Sequence, residues 1–166
     1  MRRTVKYLCA TIMLILGSIG VAQTQQSHEQ FVLHEHAQIT YNKVKMRSRF
    51  YKIEAGDALV FEYISDNGGE PGNESEAKSY ISFQIPEDVK EFEYTDANLE
   101  QIGAIYVQDC RCQDRGIMRI ETGSIKGVKR KKDEWDVELD LSIKGYLTGY
   151  IYRYKRTSTY MATPSE

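Results

Sequence analysis

Cysteine is scarce in this chain, with three among 166 residues, so the core has to form without a disulfide framework, which a chain of this size permits. There is no second C-x-C and no C-x-x-C, which removes the usual thiolate zinc spacing. Histidine is equally sparse: His28, His34 and His36 are the whole set. The nucleophile elbow G-x-S-x-G, the phosphate-binding loop and H-E-x-x-H are all missing, and no nucleophile, base and orienter fall together. Many carboxylates remain, so a hydrolytic acid pair stays open but has nothing in its favour. A basic excess is lacking too. The formal net charge is −2, which gives no global case for nucleic acid or an anionic membrane.

The one long apolar run lies at the start. Arg2, Arg3 and Lys6 precede Leu8 to Val21, and Gly20-Val21-Ala22 supplies small residues for cleavage. That is the three-part pattern of a secretory signal over residues 1–22, too short for a firm membrane span. Cys9 precedes most of the run and is badly placed for lipid attachment. Cleavage after Ala22 would remove three basic residues and no acid, making the mature chain more acidic. The expected address is exported, periplasmic or extracellular, with no transmembrane segment after cleavage. Cys110 and Cys112 would then sit in an oxidising compartment and are expected to pair.

What is present is alternation. In WDVELDLSI, Trp135, Val137, Leu139, Leu141 and Ile143 share one face, and Asp136, Glu138, Asp140 and Ser142 the other. A two-residue period over this length marks a half-buried strand. Around it, residues 23–30 read as a flexible mature N-terminus, and Phe31 to Thr40 as a first strand. Tyr41 to Glu54 reads as a longer strand whose phase changes near Phe50 to Lys52, as at a bulge. Ala58 to Ile64 is apolar on both sides, as in a central strand. A polar loop from Asp66 to Lys78 follows, then a strand at Ser79 to Ile85. Phe92 and Tyr94 mark a short edge strand, and Asp96 would cap one helical turn through Gln101. Strands at Gly103 to Gln113 and Ile117 to Lys126 precede a charged hairpin loop, Gly127 to Asp133. Gly145 to Tyr154 closes the set, and residues 156–166 read as a flexible tail. About eight or nine strands without a helix of consequence predict a single antiparallel β-sandwich over residues 31–155, with a closed lipocalin- or cupin-like barrel as the alternative.

Several residue groups are candidates for function. In an extended strand Cys110 and Cys112 put both sulfurs on one face, and a disulfide between them needs a kinked backbone. Such a pair is a structural staple, a redox couple or a soft-metal ligand set. His34 and His36 share a strand face and could chelate one metal ion. The segment IEAGDALVF (Ile53 to Phe61) superficially resembles cupins, but no later histidine completes such a site. Tyr146, Tyr150, Tyr152 and Tyr154 align as an aromatic face for sugar rings or a partner, or as ordinary sheet packing. The row Lys43, Lys45, Arg47 and Arg49 is expected opposite Asp136, Glu138 and Asp140, as cross-strand pairs rather than as a polyanion site. Glu70, Asn73 and Glu74 lack the ordered spacing of a calcium loop, and Asn73-Glu74-Ser75 is a glycosylation sequon only in a eukaryotic secretory route.

The segments YKIEAGDALVFEY (Tyr51 to Tyr63), CRC (Cys110 to Cys112) and GSIKGVKRKKDEWDVELDLSI (Gly123 to Ile143) together resemble small exported proteins of Bacteroidetes-type bacteria. In that group a GD-x-L-V-F-x-Y strand, a C-x-C and a G-x-I-x-G-x-K…W-x-V hairpin recur. The resemblance covers most of residues 45–145. It implies a bacterial β-sandwich and export, and it assigns no activity and no catalytic residue.

The expected function is a non-enzymatic binding or envelope-structural module with no cofactor. Its partner would be a carbohydrate or an envelope protein, met through the tyrosine face. The competing expectation is a redox or metal-handling protein using Cys110 and Cys112, or His34 and His36.

Overall fold

The alternating segment Trp135 to Ile143 lies in a β-strand whose apolar row is buried in the core. The computed structural model describes residues 28–40, 51–66, 77–120 and 122–162. The segment 1–22, the row Lys43 to Arg49, and Glu70, Asn73 and Glu74 lie outside those residues. The described strands are β1 (His28–Thr40), β2 (Lys52–Ala55), β3 (Ala58–Asp66), β4 (Ala77–Pro86), β5 (Glu91–Thr95), β6 (Ile105–Cys110), β7 (Gly116–Arg119), β8 (Thr122–Lys131), β9 (Glu134–Lys144) and β10 (Ile151–Ala162). The fold is all-β.

All ten strands belong to one open sheet in the order β5-β8-β9-β10-β1-β3-β4-β6-β7, with β2 paired on β1. Among the described strands every pairing is antiparallel except β1 with β10, which is parallel and rests on Val32 opposite Met161 and Leu33 opposite Ala162. The sheet is therefore mixed rather than purely antiparallel, and it does not close into a barrel. Ring contacts show that it folds back on itself. Phe61 of β3 lies 5.6 Å from Trp135 of β9 and 5.8 Å from Phe92 of β5, although several strands separate them along the sheet. Strands β5, β8, β9 and β10 thus make one layer, and β1, β3, β4, β6 and β7 the other, joined through the short parallel pairing.

The core follows from the alternation. Trp135, Val137, Leu139, Leu141 and Ile143 are all buried, and Trp135 heads the fully buried side chains by volume. Within one layer Phe61 stacks on its cross-strand partner Phe83 at 4.9 Å, and across the interlayer space Tyr160 meets Phe61 at 5.4 Å. In β3, Ala58, Leu59, Val60, Phe61 and Tyr63 are buried, and the strand is central in the sheet, with β1 on one side and β4 on the other. The outer acids of β9 find cations on neighbouring strands: Asp136 meets Arg130 of β8, and Asp140 meets Lys155 of β10 at 3.0 Å. The expected partners, Lys43 to Arg49, are not needed for this pairing.

Boundaries differ from the sequence expectation where polar residues lie in strands. β1 begins at His28, inside the segment expected to be flexible. β8 continues to Lys131, so the charged hairpin loop shrinks to a turn, because Lys126 to Lys129 pair with β9. Arg156 to Ala162 extend β10 instead of fraying, since Arg156 to Met161 are laddered onto Leu139 to Glu134 and Tyr160 is fully buried. Asp96 starts a 3₁₀ turn (Asp96–Glu100) but does not cap it; its carboxylate accepts the Gly123 amide at 3.0 Å.

At the sheet edge, Phe92 of β5 stands directly opposite Gly127 of β8. A Cβ at Gly127 would run into the Phe92 ring, so the missing side chain is what lets that ring lie over the strand and reach Trp135, 5.5 Å away. Gly127→Val is expected to displace Phe92 and cost roughly 1–3 kcal/mol, as overpacking of a filled core does. Thermal unfolding and the near-ultraviolet signal of Trp135 check this; an unchanged Tm would show that the ring has room to move.

Candidate recognition surface

β9 ends at Lys144 and β10 begins at Ile151, and the loop between them carries GYLTGY, Gly145 to Tyr150. Its fixed point comes from a different part of the chain. Asp114, in the turn after β6, is 1% exposed. Its Oδ1 accepts the backbone N–H of Leu147 at 2.9 Å and of Thr148 at 3.2 Å. Its Oδ2 accepts the Thr148 hydroxyl, and the Tyr152 hydroxyl at 3.1 Å. Within the loop, Thr148 Oγ1 accepts the Tyr150 amide at 3.0 Å, and the Gly145 amide donates to the Tyr150 carbonyl at 2.8 Å. A Cβ at Gly145 would strike the Asp114 carboxylate. Glycine is what allows the strand end to approach the acid so closely.

Burial by itself pushes the Asp114 carboxyl up, but the Thr148 hydroxyl, the Leu147 and Thr148 amides and the Tyr152 hydroxyl outweigh it. Together they hold the group below its ordinary 3.8. A buried carboxylate with this many donors is a satisfied anion and a strong organiser of backbone.

The same loop turns its large apolar side chains outward. Tyr146 is 49% exposed, Leu147 59%, Tyr150 63% and the adjoining Ile151 44%. The grooves described lie elsewhere, one of about 450 Å³ between Asp96, Glu100, Ala104 and Arg119, and a second bounded by Asp88, Lys90, Lys129 and Lys131.

The structure divides the expected tyrosine face in two. Tyr146 and Tyr150 stand at the surface. Tyr152 and Tyr154 face inward, because they pair across the ladder with the core residues Ile143 and Leu141. Tyr150 meets Tyr152 edge-on at 4.9 Å, Tyr152 lies 5.8 Å from Tyr106, and Tyr106 and Tyr154 share a 2.8 Å hydroxyl contact. Burial raises the Tyr106 and Tyr152 hydroxyls above the ordinary phenol value, helped by Tyr154 and Asp114 respectively. These phenols stay protonated; Tyr152 donates to Asp114, and Tyr106 shares its hydrogen bonds with Ser79 and Tyr154. The tyrosines thus form a train of rings running from the tip into the core.

Cys110 closes β6 and Cys112 lies in the turn beyond it, with Cα atoms 5.3 Å apart and the sulfurs at disulfide distance. The strand end supplies the kink that an extended C-x-C would lack. Cys110 is buried and Cys112 exposed, and Asp114 sits in the same turn. His34 and His36 are separated in environment by a β-bulge between His34 and Ala37, where His36 takes φ 51°. His34 Nε2 faces Glu62 Oε2 at 3.6 Å, and Glu62 also accepts the Tyr51 hydroxyl. His36 Nδ1 meets Glu87 Oε1 at 2.8 Å. The expected pair thus takes two different carboxylate partners, and among the described residues no three of His, Cys, Asp and Glu group as a metal set.

Asp114, Leu147, Thr148 and Ile151 are the residues that sequence reasoning did not place in this surface. Gly145 and Gly149 bracketing an apolar stretch were the available signal for a loop rather than a strand. Nothing local links Asp114 to Thr148. Searched against protein-family models, curated proteins and solved structures, the chain matches none.

Because the folded carboxyl value of Asp114 is depressed, its contribution to stability is fully present above the ordinary 3.8 and is lost as pH falls through the lower folded value. Asp114→Ala is expected to leave the Leu147 and Thr148 donors unsatisfied, at roughly 1–3 kcal/mol each where water cannot reach them. It should also flatten the acid limb of the stability curve. Denaturant midpoints from neutral pH down to the acid range measure both effects; an acid limb identical to the parent's would refute the assignment.

Proposed function

We propose that the protein is an exported, non-enzymatic binding module of the cell envelope that meets its partner through the β9–β10 tip. The observation that carries this reading is the exposure of Tyr146, Leu147 and Tyr150 on a loop fastened from beneath by the buried Asp114 carboxylate, with Ile151 exposed at the start of β10 beside them. Large apolar side chains scattered singly on a surface are unremarkable, but four of them between Tyr146 and Ile151 on a held backbone support a recognition role. Tyrosine suits this role, offering a wide ring and a hydroxyl at little entropic cost. Export is supported by the N-terminal pattern of Arg2 to Ala22 and by a disulfide-distance pair at Cys110 and Cys112. Tyr152 and Tyr154 support the tip from behind and make no direct contact in this reading.

Tyr146→Ser/Tyr150→Ser is expected to move the Tm by no more than a degree or two, since exposed positions rarely matter beyond about 0.5 kcal/mol. Binding to the host envelope fraction should weaken about tenfold or more, as loss of interface tyrosines does. Co-sedimentation with that fraction reads the second effect, and undiminished binding removes the tip from the reading.

Redox exchange at Cys110–Cys112 is a second reading, favoured by the exposure of Cys112, where a thiolate can reach the sulfur. The variant Cys110→Ser/Cys112→Ser separates the two. The binding reading expects both envelope binding and function in the host to persist in it, whereas the redox reading expects function in the host to be lost although binding persists.

A further inference from the structure

The overall acidity of the chain conceals a one-sided distribution of charge around the tip. From Leu141 to Ser165 the sequence holds Lys144, Arg153, Lys155 and Arg156 and no Asp or Glu. Lys155 is engaged by Asp140 at 3.0 Å and Arg156 by Glu29 at 3.0 Å. Lys144 and Arg153 are exposed and make no ion pair among the described residues. Their position follows from the ladder: Lys144 is directly opposite Ile151, and Arg153 lies two residues along the same face. Two available cations therefore stand immediately behind the exposed Tyr146, Leu147, Tyr150 and Ile151. Arg111, exposed in the Cys110–Cys112 turn, adds a third in the turn that also carries Asp114, the acid beneath the loop.

We infer that this tip inserts into the interface of an anionic lipid bilayer, and that the membrane surface is the partner of the binding module. The inference rests on the binding-module reading and supplies its ligand class. Leu147 and Ile151 would enter the boundary of the acyl region. The rings of Tyr146 and Tyr150 suit the headgroup level, where an apolar body and a polar end are both accommodated. Lys144 and Arg153 have long stems that let their charges reach anionic headgroups while the methylenes lie along the apolar side. Aromatic and aliphatic side chains in front with cations behind is the arrangement of interfacial anchors, here built on a loop instead of an amphipathic helix. A neutral sugar would draw no benefit from the clustered cations, whereas anionic headgroups would. The held backbone matters for the same reason. A loop already ordered by Asp114 loses little conformational entropy on insertion, so even four apolar side chains can produce measurable partitioning.

The test is flotation of the full protein, isolated from its host, with vesicles of phosphatidylcholine alone and of phosphatidylcholine with phosphatidylglycerol. Binding is expected to the anionic vesicles at low salt and to fall as salt rises. Leu147→Ser/Tyr150→Ser should weaken it about tenfold or more. Lys144→Gln and Arg153→Gln should weaken it by about fivefold each, while leaving the weak residual binding to neutral vesicles unchanged. Circular dichroism and Tm confirm that the variants fold. If the parent ignores anionic vesicles at low salt, or the tip variants bind as the parent does, the inference is overturned. If vesicle binding is absent while the tip variants still lose binding to the host envelope fraction, the lipid assignment falls and the binding-module reading stands. If the tip variants lose neither, both fall.

Discussion

Among the described residues no α-helix covers the sheet, so the sheet has to bury its apolar face against itself, and this constraint shapes the rest of the fold. Each strand of the β9 type brings one apolar row and one polar row, and the apolar row is stable only when another sheet face covers it. Here one ten-stranded sheet supplies both faces. The fold line lies where β10 meets β1, a parallel contact of two residue pairs, the shortest ladder among the described strands. The interlayer contact of Trp135, Phe61, Phe83, Phe92 and Tyr160 then holds the halves together. Aromatic rings meeting edge-on or tilted at 5–6 Å contribute beyond simple burial. Phe92 can take part only because Gly127 leaves it space.

Away from Trp135 the interior changes character. Toward the β9–β10 tip, phenylalanine and leucine give way to Tyr106, Tyr152 and Tyr154, whose hydroxyls need partners once buried. Ser79, Asp114 and the phenols themselves supply them. The same carboxylate that accepts the Tyr152 hydroxyl also holds the loop amides, so the polar end of the core and the exposed tip are a single hydrogen-bonded unit. An acid that would be costly alone is satisfied here, and in return it fixes a loop that would otherwise be free to sample many conformations.

Much of this was legible in the residues, and what was not has a physical reason. The strict alternation of Trp135 to Ile143 and the continuous apolarity of Ala58 to Ile64 each reported a burial pattern that a strand cannot hide. The strand extension through Arg156 to Thr159 was not readable, because its residues are polar on both faces and are held by the ladder to β9, not by burial. The tyrosines misled for a related reason: identical spacing places Tyr146 and Tyr152 in one phase only if the backbone between them is extended, and Gly145 to Tyr150 is a loop. The His34 and His36 pairing assumed an unbroken strand, whereas a bulge gives each its own carboxylate. The Asp114 contacts with Leu147 and Thr148 join positions far apart in sequence, and no local pattern announces a long-range hydrogen bond. Likewise, net charge averages away the cations gathered near the tip.

The central claim is that a buried carboxylate turns a surface loop into a fixed presenting surface. Amide hydrogen exchange at Leu147 and Thr148 tests it most directly, since both positions lie in an exposed loop where exchange would ordinarily be fast. The account predicts slow exchange at these two amides, tracking the opening of the β9–β10 ladder, and a return to fast exchange in Asp114→Ala. Exchange in the parent at the rate of an unstructured peptide would contradict it.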